Sequence, residues 1–422
     1  MSTLRSAASP RSARSVHVYG VGYRLPPFAL CTELCVLAFG VLTFGAVQEW
    51  AVCALECAAA LLFVAWAVQK AALGSISVTN SAILPALGLL FIPFLQLATG
   101  HTAYAYDTHY TLLEWLAYGV FYLIASEFSG DSLLRMRMAI SIAVFGSLYA
   151  LFAMLQGSLA PANLIYGVIR TQGTGFGSYT NRNHYAGLTA MLLPFGLVVL
   201  FSSFAPKALR LLCGFGSLVM LASIFMSGSR GGMFSVMIGL IFLLVQQWRG
   251  NMHRGSLRKL ILAGVLTAAF VGYFSFDRVA SRSVREATDV MRLQIARDSL
   301  KLLAAHPLLG SGLGSFPTVY PTVCTIPTNL FVNAAHDDYL QLAVETGLAG
   351  VLLAVLFLWL LFRNGLRSLR RTGRSRFSDV TVAALAGCVS ILIHSFFDFN
   401  LQIPANAAVF AFLAGLASAR PD

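Results

Sequence analysis

The sequence predicts an all-α polytopic membrane protein of about twelve transmembrane helices, with one large extracytoplasmic loop between helices nine and ten. Three observations predict it. Hydrophobic residues make up 57% of the 422-residue chain and charged residues 11%, with a mean hydropathy of +0.74, which does not describe a water-facing surface. Runs of roughly 18 to 22 mostly apolar residues, the length that crosses a hydrocarbon core of about 30 Å, recur along the whole chain. Lys and Arg concentrate in short segments on alternate sides of successive runs, the orientation signal of a membrane protein.

The helices fall at about 28–45, 50–68, 81–98, 110–128, 136–156, 183–203, 208–226, 231–247, 258–275, 347–363, 379–397 and 403–419. With the N-terminus inside, the cytoplasmic segments hold twenty of the 29 Lys and Arg residues. The other nine are Arg170, Arg182, Arg230, Arg278, Arg282, Arg285, Arg292, Arg297 and Lys301, six of them in the long loop. The organisation is therefore a cytoplasmic tail (1–27), helices one to nine (28–275), a periplasmic loop with short helices (276–346), helices ten to twelve (347–419) and a cytoplasmic C-terminus (420–422). The formal charge of +12 is an orientation signal and not a nucleic-acid face. The first 24 residues are Arg- and Ser-rich without an acidic residue, which reads as a solvated tail ahead of a transit peptide. Cys324 is the only cysteine of the long loop, so no disulfide closes within it. The two halves share no internal similarity that would indicate a transporter built from inverted repeats.

Within the loop, Val284 to Leu303 reads as a helix that Pro307 stops, Gly310-Ser-Gly-Leu-Gly314 as a turn-rich link, and a short helix begins near His336 and runs toward Gly347. Arg170, Arg182 and Arg230 fall at or near outer helix ends, against the prevailing bias. Guanidinium groups there suit an anionic headgroup such as a diphosphate; the plainer alternative is snorkelling to lipid or pairing with an outer carboxylate such as Asp107. Arg278, Arg282, Arg285 and Arg292 share one face of the loop helix if it starts early enough, either as a binding stripe or as a solvated face.

His336, in Asn333-Ala-Ala-His-Asp-Asp-Tyr-Leu-Gln, is a candidate to take a proton from a sugar hydroxyl, with Asp337 or Asp338 orienting it; the alternative is a structural histidine at a helix cap. No spacing of His and Cys supports a zinc site, and no metal or cofactor is expected. His394 and Asp398 stand one helical turn apart and are candidates by their place near a span end, or simply bond each other. Glu33 and Glu56 lie in spans and are what a proton-coupled transporter would need. Gly173-Thr-Gly-Phe-Gly177 and Gly310–Gly314 are weak as phosphate loops, and the aromatic stretch from His101 to Tyr110 reads as an interfacial belt.

Taken in order, Arg170–Ala186 (RTQGTGFGSYTNRNHYA), Ser229-Arg-Gly-Gly232, Arg292-Leu-Gln, His306-Pro-Leu-Leu-Gly-Ser-Gly-Leu-Gly-Ser-Phe316, His336-Asp-Asp-Tyr-Leu-Gln-Leu, Glu345-Thr-Gly-Leu-Ala-Gly350 and His394-Ser-Phe-Phe-Asp-Phe-Asn-Leu-Gln-Ile-Pro-Ala-Asn406 resemble the O-antigen ligase and Wzy-type polymerase superfamily of bacterial envelope glycosyltransferases. The resemblance covers about residues 160 to 410. It implies a large extracytoplasmic loop late in the chain, and transfer of a glycan from undecaprenyl diphosphate to a sugar hydroxyl without metal or nucleotide sugar. It implies His336 as base, Arg292 and Arg230 as diphosphate ligands, and Arg182 and Arg170 as helpers; Asp337, Asp338, Arg285, His394 and Asp398 are supporting candidates from the residue reading above. Asp337 departs from the Asn often found there.

The expected function is an O-antigen ligase-like transferase of the bacterial inner membrane, multi-pass, with both termini cytoplasmic and a periplasmic active site. Its partners are an undecaprenyl-diphosphate-linked glycan donor, a lipid A core or glycan acceptor, and membrane lipids; nucleic acid is excluded. A Wzy-type polymerase of O-antigen or exopolysaccharide is the alternative, and a polysaccharide transporter or flippase the rival class.

Overall fold

The computed structural model describes residues 25–73, 80–159, 164–170, 174–249, 282–326 and 331–421. The tail 1–24, the expected ninth helix at 258–275 and Arg278 lie outside the described residues, as do the side chains of 282–289, including Arg282 and Arg285.

The described chain is helical apart from one short hairpin: α1 (Leu25–Leu42), α2 (Glu49–Leu73), α3 (Ile83–Thr99), α4 (Ala105–Phe128), α5 (Ser132–Leu159), the antiparallel pair β1 (Leu164–Ile165) and β2 (Ile169–Arg170), α6 (Arg182–Phe201), α7 (Lys207–Met226), α8 (Arg230–Arg249), α9 (Arg282–Ala305), α10 (Asp338–Thr372), α11 (Arg376–His394) and α12 (Pro404–Ser418). Among the described residues seven helices are long and apolar enough to cross a membrane, namely α2, α5, α6, α7, α8, α10 and α11; α1, α3 and α12 are shorter apolar helices. α4, expected as a span, is not among the seven; it carries Asp107, Glu114 and Glu127.

Two spans differ from the rest. In α6 and α11, 89% and 83% of the apolar window is buried inside the protein, against 28–44% for the other five, so these two form the centre of the bundle. α12 joins them, with Pro404 to Val409 and Ala411 to Ser418 all buried. Outward-facing apolar surface on the remaining helices suits lipid contact, because hydrocarbon imposes no cost on exposed Leu and Phe.

Local chemistry sets the helix ends that matter below. Asn181 caps α6 by accepting from Asn183 N at 2.9 Å, Asp337 caps α10 by accepting from Tyr339 N (2.9 Å) and Leu340 N (3.0 Å), and Ser375 forms a capping box with Ser378 at the start of α11. Gly347 breaks α10 in two: its φ of 65° needs no Cβ, and a Cβ there would lie 2.3 Å from Leu308 O. The expected short helix leading into a tenth span is thus one element bent at Gly347.

The glycine link 310–314 is folded against this bend. Glu345, buried in α10, accepts from Gly314 N (3.0 Å), Phe316 N (3.3 Å) and Gln341 Nε2 (3.1 Å). Gln96 of α3 donates to Leu309 O (2.6 Å) and Glu345 O (2.8 Å) and accepts from Leu313 N (3.0 Å). The backbone N–H groups that a phosphate loop would offer are therefore already bonded to a carboxylate and an amide.

At the opposite end, Arg135, one of the twenty cations expected on the cytoplasmic side, is an internal residue. It is fully buried and donates to Ser129 O (3.1 Å), Ser129 Oγ (3.0 Å), Thr381 Oγ1 (2.9 Å) and Leu416 O (2.9 Å), with its guanidinium 4.0 Å from the Phe377 ring centroid. A cation suits that place, where α4 and α12 end and present unpaired carbonyls.

Candidate active site

His336 stands on the turn before α10 with φ of 56°, a backbone conformation that costs a non-glycine residue about 1 kcal/mol. The turn is held from both sides, by Ala335 N donating to Gln341 Oε1 (3.1 Å) and by the Asp337 cap. This geometry turns the imidazole away from α10. Its Nδ1 lies 3.4 Å from Asp398 Oδ1, and its ring meets the Phe399 ring edge-on at 4.9 Å.

Asp398 is 1% exposed and gathers donors from three directions. Its Oδ1 accepts Phe399 N at 2.9 Å and lies 3.9 Å from His184 Nε2, while Oδ2 accepts Asn183 Nδ2. Burial alone would raise this carboxyl; the hydrogen bond from His336, the His184 and His336 rings and the Phe399 N–H outweigh it and hold the group well below the usual carboxylate range. Asp398 is therefore a buried anion facing His336.

The expected helpers Asp337 and Asp338 are placed otherwise. Asp337 spends its side chain on the α10 cap, a task Asn performs equally well, which gives the departure from Asn a structural reading. Burial pushes the Asp337 carboxyl up, against the two capping N–H groups that pull it down. Asp338 is buried and accepts Ser395 Oγ (2.7 Å) and Leu401 N (3.0 Å), which ties the start of α10 to the chain between α11 and α12.

The alternative reading, in which His394 and Asp398 simply bond each other, is not realised. α11 stops at His394, Phe397 N turns back to His394 O (2.8 Å), and Asp398 is carried off the helix axis toward His336. His394 packs instead between α6 and α8, where a Cβ at Gly187 would lie 3.1 Å from its Nδ1 and a Cβ at Gly231 would lie 3.0 Å from its Nε2. Its Nδ1 has no hydrogen-bond partner among the described residues.

Three of the expected arginines come to this end of the bundle. Arg182 and Arg230 are the first residues of the neighbouring helices α6 and α8, and Arg182 Nη1 lies 3.3 Å from where Gly228 would carry a Cβ, two residues before Arg230. Arg292, on α9, donates from Nη1 to Phe397 O at 3.2 Å, one residue before Asp398. Gly231 abuts Phe397, which links the α8 start to the same turn. The Arg292 guanidinium thus reaches the turn that carries Asp398, and the N-termini of α6 and α8, which begin with Arg182 and Arg230, come to the same end of the bundle, a setting that favours an anion. Arg170 is exposed on β2, and no contact among the described residues ties it to this group. Among the described residues no three His, Cys, Asp or Glu side chains converge as metal ligands.

Residues 215–355 match the Wzy_C family model, described as O-antigen ligase. Over these residues the chain is similar to the O-antigen ligase/Wzy superfamily. No curated protein matches it. The Wzy_C stretch runs from α7 into α10 and carries Arg230, Arg292 and His336; Arg182, His184, His394 and Asp398 come from outside it and are added by the fold. His184, Asn183 and Phe399 were not singled out from the sequence. The available signal was their place inside the ordered motifs, in RNHYA and DFN.

Proposed function

We propose that this Wzy_C protein is a membrane glycosyltransferase that moves a glycan from an undecaprenyl-diphosphate carrier to a sugar hydroxyl at the extracytoplasmic face of the bacterial inner membrane. The observation that carries this reading is the His336–Asp398 imidazole–carboxylate pair on a turn held by Arg292, at the bundle end where α6 and α8 begin with Arg182 and Arg230. A base and an anion site side by side are what displacement of a diphosphate by a hydroxyl requires.

In the step proposed, His336 Nε2 takes the proton of the acceptor O–H as that oxygen bonds to the anomeric carbon. The bond from that carbon to the diphosphate oxygen breaks, and its electron pair leaves with the diphosphate, where the arginines and the α6 and α8 N-termini stabilise the growing charge. Single displacement inverts the anomeric centre. The Wzy_C match over residues 215–355 supports the ligase/polymerase class. The acceptor is proposed to be lipid A core, or alternatively the end of a growing polysaccharide.

The test supplies purified protein with a defined undecaprenyl-diphosphate oligosaccharide and, separately, lipid A core. Acceptor-lipid product identifies a ligase and lengthened carrier-linked glycan a polymerase. A wild-type protein that yields neither overturns the reading, as does one whose His336→Ala variant retains full transfer.

A further inference from the structure

At the end of the bundle opposite Arg135, the connection from α3 into α4 carries a row of tyrosines outside the His336 site. Tyr104 and Tyr106 are 50% and 64% exposed, and Tyr110 follows Tyr106 one turn along α4. The ring centroids lie 6.1 Å apart from Tyr104 to Tyr106 and 6.5 Å apart from Tyr106 to Tyr110, the second pair nearly parallel at 18°. Parallel rings that far apart are offset sideways, and each keeps a face open. We propose that Tyr104, Tyr106 and Tyr110, with Asp107 beside them, form a platform for the neutral-sugar chain of the carrier-linked donor, remote from its reacting end. The proposal rests on the transferase reading above and names a subsite for its donor.

The row is built into the loop that leads to His336. Ala103 N donates to Ser311 O (2.8 Å), Thr318 Oγ1 donates to Asp107 Oδ2 (3.1 Å), and a Cβ at Gly314 would lie 3.0 Å from Asp107 O. Gly314 N in turn donates to Glu345 (3.0 Å), near the far end of the first segment of α10, which His336 precedes. From Asp338 to Glu345 that segment rises roughly 10 Å, before the side chains at either end add to the distance. A single sugar ring at His336 does not reach the tyrosines; an oligosaccharide does. Charge selects the occupant. Residues 71–134 include no Lys or Arg, while Glu49, Glu56 and Glu114 lie within electrostatic reach of Tyr110. An aromatic belt among anionic lipid headgroups would set these carboxylates against phosphate. A neutral pyranose instead covers a tyrosine ring with its C–H face and donates its edge hydroxyls to carboxylates. The donor supplies that chain, because the outer end of its glycan is free to lie along the rim.

The test uses two undecaprenyl-diphosphate donors, one carrying a single hexose and one carrying about eight neutral hexoses. Their binding to the full-length protein in nanodiscs is followed by native mass spectrometry, beside transfer assays on the same samples. The wild type is expected to bind the longer donor at least about fivefold more tightly. Tyr106→Ala is expected to remove most of that advantage and Tyr106→Phe to keep it, while the single-hexose donor binds all three proteins alike. In transfer, the Tyr106→Ala loss should enter the KM of the longer donor, with kcat within about twofold. Equal affinity of the wild type for the two donors, or binding of neither, overturns the proposal. So does a Tyr106→Ala loss of the same size on both donors, which marks a structural role, or no loss on either, which leaves an interfacial belt. A Phe variant as weak as the Ala variant overturns stacking on the ring. If the wild type shows the length dependence in binding yet transfers neither glycan, the transferase reading fails and this one stands.

Discussion

Arg292 Nη1 donates to the carbonyl of Phe397 at 3.2 Å, so a loop helix reaches across 105 residues of sequence to hold the turn that presents Asp398. Arg292→Lys keeps the charge and loses the planar fork, and is expected to lower transfer about tenfold or more with unchanged thermal stability. Arg292→Gln is expected to lose about a further tenfold. Steady-state rates and a melting curve in detergent check both.

The left-handed backbone at His336 separates its structural from its chemical role. Asn tolerates that conformation, so His336→Asn is expected to melt within a degree or two of the wild type while transfer falls about 100-fold or more. His336→Val, β-branched, is expected to lose about 1–2 kcal/mol of stability as well. Equal melting of the Asn and Val variants would show that the turn relaxes freely.

Glu345 holds the glycine link through two backbone N–H groups and Gln341. Glu345→Ala leaves these buried donors unmatched and is expected to cost about 2–4 kcal/mol. Proteolysis should then open between 306 and 326 before the helical bundle is cut.

Arg135 bonds the carbonyls of Ser129 and Leu416 together with two hydroxyls. Arg135→Met preserves volume and removes those donors; a loss of about 2–4 kcal/mol is expected, with any residual transfer showing an unchanged donor KM. Neither effect is expected from Arg137→Met, which lies exposed two residues further along α5.

Asp298 in α9 accepts Thr325 N (3.0 Å), Thr325 Oγ1 (2.8 Å) and Lys301 Nζ (2.7 Å). Burial pushes this carboxyl up, but the bonds from Lys301 and Thr325 outweigh it and hold it below its ordinary value. A depressed carboxyl contributes stability that is full above its unfolded value of about 3.9 and is lost as pH falls through the lower folded value. Protection of the amides around Thr325, relative to the rate of an unstructured chain at the same pH, should therefore hold at pH 5 and fall in acid below about 4, and Asp298→Asn should show the lowered protection already at pH 5.

Much of the frame was legible without coordinates. Apolar length and periodicity located α1 to α8 and α10 to α12, the loop helix ran from Arg282 to Ala305 around the expected Val284–Leu303, and Gly347 and Gly310–Gly314 were marked as breaks. These are local properties, set by the preference of each segment for helix in an apolar medium and by glycine where no Cβ fits. The burial of Arg135 was not legible in the same way, because it depends on carbonyls of distant helices that converge on it.

The site divides in the same way. The sequence by itself determined which residue types were present: a histidine before an amphipathic helix, arginines at helix starts, and a His–Asp spacing near the end of a span. Tertiary structure decided their partners. One helical turn of spacing favours His394 with Asp398, but α11 ends at His394, and the turn that follows swings Asp398 onto His336 and His184. Asp337 and Asp338, adjacent to the imidazole in sequence, are taken up by the cap of α10 and by Ser395 and Leu401. The physical reason is that spacing fixes neighbours only while a helix continues. Beyond its end, a buried carboxylate goes to whichever donors the packing of other helices brings within reach.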